Sequence, residues 1–117
     1  MLLNVIKTKL EEVDPRVYYG IVDKEVAKIA WDYIVFNRVG LKSSPNKTGK
    51  GDTFDVHIVR EHFIPDGLAE QIIEKVCSIA GVRETSEDGT YNYVQKPNTN
   101  IVVEMLTLHF VRARKNV

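Results

Sequence analysis

Three histidines, one cysteine and a scatter of carboxylates are the side chains of this 117-residue sequence with the means to do chemistry. His57 and His62 stand five apart, His109 lies far downstream, and Cys77 sits among apolar residues at helical spacing. A zinc site needs three or four ligands in compact spacing, which this set does not offer. Ser43 and Ser44 lie in a glycine-rich stretch that lacks the surroundings of a nucleophile elbow. Asp14, Asp32 and Asp55 could form a carboxylate group, but strand alternation accounts equally well for Asp32 and Asp55. Asn46–Asp52 (NKTGKGD) invites comparison with phosphate-binding loops. The pattern of Gly, four residues, then Gly-Lys-Ser/Thr is absent, and a strand follows where a helix would be needed. The sequence predicts no enzyme, no metal and no cofactor.

Length and composition set the frame for these residues. A chain of 117 residues suits one domain, residues 1–117, with 44% apolar residues. Sixteen basic and sixteen acidic residues cancel, so no overall field favours nucleic acid or an acidic membrane. The lone Cys77 excludes an internal disulfide and fits a reducing compartment. The first residues lack the apolar core and cleavage site of a signal peptide, and no apolar run approaches the ~18 residues needed to span a bilayer. A protein cytoplasmic at synthesis is expected.

The element that everything else must accommodate is Ile101–Arg114 (IVVEMLTLHFVRAR). Its β-branched residues and alternation predict one unusually long strand. Val102, Leu106, Leu108 and Phe110 make an even apolar row, broken by Glu104. Ile101, Val103, Met105 and Val111 make an odd one, with Thr107 and His109 between them. Two apolar rows need two covers.

Upstream, Leu3, Ile6, Leu10 and Val13 predict an amphipathic helix over residues 2–12, ended at Asp14-Pro15. Arg16–Val22 reads as a short β segment, Asp23–Ala30 as a helical turn or an irregular connection, and Trp31–Arg38 as a strand. Val39–Asp52, with three glycines, a proline, two serines and three lysines, reads as a long flexible loop. Thr53–Glu61 alternates as a strand. Asp66 is placed as the N-cap of a helix lined by Leu68, Ile72, Val76 and Ile79 and ended by Gly81. Val82–Gly89 is polar, Tyr91–Lys96 is a strand, and Pro97–Asn100 turns into the final strand. The expected fold is α+β: a mainly antiparallel sheet with two helices on one face, in the order α-β-β-β-α-β-β. The opening half shares the topology of double-stranded RNA-binding domains. Those carry a lysine cluster at the second helix, where this chain has the acidic Pro65-Asp66-Gly67-Leu68-Ala69-Glu70.

Element order, spacing and length together resemble the tail terminator and tail-completion (head–tail joining) family of long-tailed bacteriophages. The resemblance runs through Leu3–Glu12, Arg16-Val17-Tyr18-Tyr19-Gly20, Trp31-Asp32-Tyr33-Ile34-Val35-Phe36, the Gly/Ser/Lys loop, Phe54–Val59, Ala69–Ala80 and the final hairpin. Trp31-Asp32 stands where the family commonly has proline. What the resemblance implies is structural: a homo-oligomeric ring, a hexamer in the family, that closes the tail tube and meets the connector. It implies no catalytic residue, residence in the host cytoplasm during assembly and then in the virion tail or neck, and no membrane or sequence-specific nucleic acid partner. The odd-row residues Val103, Met105 and Val111 are then expected between subunits. Lys42, Lys47 and Lys50 make the loop locally basic, a candidate partner-contact loop for a partner's acidic surface or a DNA backbone. The competing reading is a small regulatory or ligand-binding module of ferredoxin-like type, which would need a concave pocket.

Overall fold

The computed structural model describes residues 2–22, 30–43 and 49–115. In chain order these form α1 (Leu2–Glu11), β1 (Val17–Tyr19), β2 (Tyr33–Ser43), β3 (Gly49–Glu61), α2 (Leu68–Cys77), β4 (Val82–Glu84), β5 (Thr90–Gln95) and β6 (Val102–Lys115). The fold is α+β, with one six-stranded sheet in the order β1-β2-β3-β6-β4 and β5 also paired to β6. Only β1 and β2 are parallel; every other pairing is antiparallel.

The long final strand is the axis of the sheet. On one side β3 runs beside it from Gly49↔Lys115 to Glu61↔Val103. On the other side β4 covers Phe110–Arg112 and β5 covers Val102–Thr107. The even row Leu106, Leu108 and Phe110 meets Ile6 and Leu10 of α1 and Ile72 and Val76 of α2 in the main core. Helical spacing in the helices and alternation in the strand converge on one apolar layer. Phe54 and Phe110 stack there, with centroids 5.5 Å apart. Glu104, the polar break in that row, lies beyond the helices and accepts from the Ile64 N–H and the Tyr93 hydroxyl, both at 2.8 Å. Below α1, the buried Asp14 holds the Arg60 guanidinium at 2.5 Å and caps the Arg16 N–H at 2.9 Å.

Several local expectations give way. The loop expected over Val39–Asp52 is mostly strand: pairing continues to Ser43↔Lys50, and only residues 44–48 of it lie outside the described residues. Its glycines have jobs inside the sheet. Gly40 follows a bulge after Arg38 and its carbonyl accepts from Thr53 Oγ1 at 3.0 Å. A Cβ on Gly51 would stand 3.0 Å from Val111 Cγ2, so a side chain there would press on β6. Asp66 is not the cap of α2. That position is Gly67, left-handed at φ 87, with no side-chain cap bond. The helix stops at Cys77, short of Gly81, whose φ of 82 serves the turn into β4. β4 itself arises where only a polar stretch was expected. Asp23–Ile29 lies outside the described residues.

Candidate functional site

The sheet face away from the helices carries the residues singled out for chemistry, and register decides which of them meet. Toward its lower end Tyr33, Val59 and Val103 are buried in a second apolar cluster with Tyr18, Val22, Trp31, Val35 and Met105 packed around them. The cover is therefore the chain's own Trp31 segment and β1. Glu61 fastens it, accepting from the Trp31 N–H at 3.2 Å and from Lys96 Nζ at 2.6 Å. The lysine hydrogen bond, before all other causes, holds the Glu61 carboxyl below its ordinary value. Val103 is fully buried in this cluster and has no surface left for a neighbouring subunit, while Met105 and Val111 are half-buried. The expected subunit contact loses its first member because monomer and neighbour compete for the same apolar row.

Further up, the same face turns polar. His57 bridges two strands: Nε2 lies 2.6 Å from Asn37 Oδ1 and Nδ1 lies 2.9 Å from Thr107 Oγ1. The Asn37 amide nitrogen donates to the Arg38 carbonyl at 3.2 Å, which turns its oxygen toward the histidine. Nε2 must then carry the proton, and Nδ1 accepts from the threonine hydroxyl. Burial lowers the His57 pKa from 6.5, the Asp55 charge pulls it back and His109 pushes it further down. His57 is a structural, neutral cross-strand bridge. One register step on, His109 Nδ1 meets Asp55 Oδ1 at 2.7 Å and Glu87 Oε2 at 3.7 Å.

The strand register thus brings His57, His109 and Asp55 near one another, but not His62, which is exposed at the end of β3 with φ 71. Asp14 and Asp32 go elsewhere, one to Arg60 and the other to the Glu61 N–H at 3.1 Å. Cys77 is free and half-buried, and burial raises its thiol pKa. Among the described residues no three His, Cys, Asp or Glu side chains stand together as metal ligands. A depression lined by Val39, Thr53, Asp55, Thr85, Glu87, His109 and Phe110 encloses about 60 Å³. Small-molecule sites run to several hundred cubic ångströms, so this one is suited to water or an ion-sized group. Lys42 and Lys50 stand on β2 and β3, and Lys47 lies outside the described residues.

No known protein family matches the sequence, and no curated protein matches it as a relative.

What sets this surface apart is where the large apolar residues are exposed. Tyr19, Ile21 and Val39 lie along the β1–β2 edge, and Tyr91, Tyr93 and Val94 lie on the β5 edge, with Val102 beside them at the start of β6. Of the other exposed large apolar side chains among the described residues, Val5 lies on α1 and Phe63 follows the end of β3. Single exposed apolar residues are ordinary, but two groups at opposite edges of one sheet are not random scatter. Sequence reasoning missed these edges. The available signal was Thr90–Gln95 (TYNYVQ), a strand with aromatic residues on one side and no charge at all.

Proposed function

We propose that this chain is a structural protein that assembles head to tail into a closed ring, acting as a tail terminator or head–tail joining protein of a long-tailed phage. The observation that carries the reading is the segregation of exposed apolar side chains to opposite edges of the sheet. An isologous dimer would use one self-complementary patch. Two different patches on opposite sides favour a heterologous contact, which closes into a ring when the rotation per subunit allows it. The polar bridges of the open face need no substrate: Asn37, His57 and Thr107 satisfy one another. A structural role demands no more of them. The proposed partners are copies of the chain itself, then the tail-tube and connector proteins above and below the ring.

Two experiments test this. Light scattering after size exclusion should give one species at a fixed multiple of 13.3 kDa once concentration is raised. A mass that stays at one chain at every concentration contradicts the ring. In a phage deleted for this gene, heads and tails should form but fail to join into infectious particles. Normal particles from the deletion contradict the assembly role.

A further inference from the structure

We infer that the ring contact is a β-sheet extension, in which β5 of one copy pairs with the free upper edge of β2 in the next. The inference rests on the ring reading and specifies its contact. β5 is six residues long, Thr90–Gln95, exposed at every position, and regularly registered on β6 with no bulge. It contains no proline and no charged residue, the devices by which edge strands ordinarily avoid partners. On the far side of the sheet β1 pairs with β2 only through Phe36. Among the described residues no strand pairs with the outer side of β2 from Asn37 to Ser43. Among the described residues the chain therefore offers two unfilled strand edges of similar length, a regular one on β5 and one on β2 that carries Arg38, Lys42 and the bulge after Arg38.

Their directions agree. From β2 through β3 and β6 to β5 each pairing is antiparallel, so β5 runs opposite to β2. In a ring the neighbour's β2 keeps its direction, and β5 meets it antiparallel without any inversion. Their heights differ by an offset that a strand tilt can absorb. Asn92 is level with Met105 and Val59, whereas Gly40 is level with Thr53. Val59 and Thr53 are six residues apart on β3, about 20 Å at ~3.3 Å per residue. Four strands at ~4.8 Å span about 19 Å. Joining the edges thus requires the strands to tilt by roughly 45° to the ring axis, close to the tilt of closed barrels. Charge agrees too: antiparallel pairing brings the exposed Glu87-Asp88 segment before β5 toward the end of β2, where the sequence holds Lys42.

The test uses the full chain with Cys77→Ser, carrying either Val39→Cys or Asn92→Cys. Each variant alone, treated with a short bis-maleimide, should give no cross-linked dimer. The two co-expressed should give a dimer joining position 39 of one copy to position 92 of the other. Self-linking of the Asn92→Cys variant would show β5 pairing with β5 and overturn the inference. Absence of the mixed product from a protein that light scattering shows to be assembled would overturn the edge pairing and leave the ring standing. A wild-type protein that never assembles overturns both. Asn92→Pro and Tyr93→Pro supply an independent arm, because successive N–H groups of a strand point to opposite sides. The variant that loses the outward N–H should keep the wild-type melting temperature and lose assembly. Assembly of both proline variants at wild-type concentrations would contradict the pairing.

Discussion

The two faces of β6 are made from one alternating strand yet differ in kind. The even face is apolar from Leu106 to Phe110 and is sealed by both helices. The odd face is apolar only at its lower end, where Val103 and Met105 lie under Trp31 and Tyr18, and above that it is a lattice of hydrogen bonds. The first face is where burial stabilises the fold. The second is half core and half surface, and its polar half keeps the sheet flush and satisfied without a covering layer.

Mutations sharpen that contrast. Phe110→Ala should cost the most, about 3–5 kcal/mol, because it empties the stacked pair with Phe54 at the centre of the sealed face. Denaturant midpoints measure it, and a loss no larger than that of a surface change would break the assignment. Asp14→Ala should follow, at about 3 kcal/mol, by leaving the Arg60 guanidinium, itself largely buried, without its partner. An Asp14→Ala, Arg60→Met double variant should recover much of that loss. Val103→Ala should cost about 1–3 kcal/mol, since its cluster is smaller and partly open. If it costs as much as Phe110→Ala, the lower odd face is as much a core as the even one.

The smallest effect is one of pH. His57 has a folded pKa below 6.5, so between that folded value and 6.5 the unfolded chain binds more protons. Stability therefore rises with pH through this window, and the contribution is lost as pH falls below 6.5. His57→Gln should flatten that slope. Unchanged slopes in wild type and variant would show that burial does not hold His57 neutral.

How much of this was legible beforehand follows from range. The long strand, both helices and the even core row were readable because periodicity is local and strong there. Val39–Asp52 was misread because glycine, serine and lysine signal a loop, whereas in the fold Gly40 and Gly51 permit a bulge and a close approach between strands. β4 has only three residues and exists through its pairing with Val111, which no local pattern announces. For the candidate site, Met105 and Val111 stay half-buried, and Met105 packs against the second apolar cluster. Val103 was lost to the subunit contact because its cover, Trp31, comes from far upstream. The edges themselves had only the uncharged Thr90–Gln95 as a local signal, since an edge is defined by the strand that is not beside it.

The most direct test of the head-to-tail account is sedimentation equilibrium on two complementary variants. Val39→Glu should spoil the β2 edge and leave β5 intact, and Tyr91→Glu should do the reverse. Each variant alone should be confined to 13.3 kDa, while an equimolar mixture should form a dimer at twice that mass and stop there. A mixture that stays monomeric while the wild type assembles, or a single variant that still assembles like the wild type, would contradict the claim that opposite edges of one sheet join copy to copy.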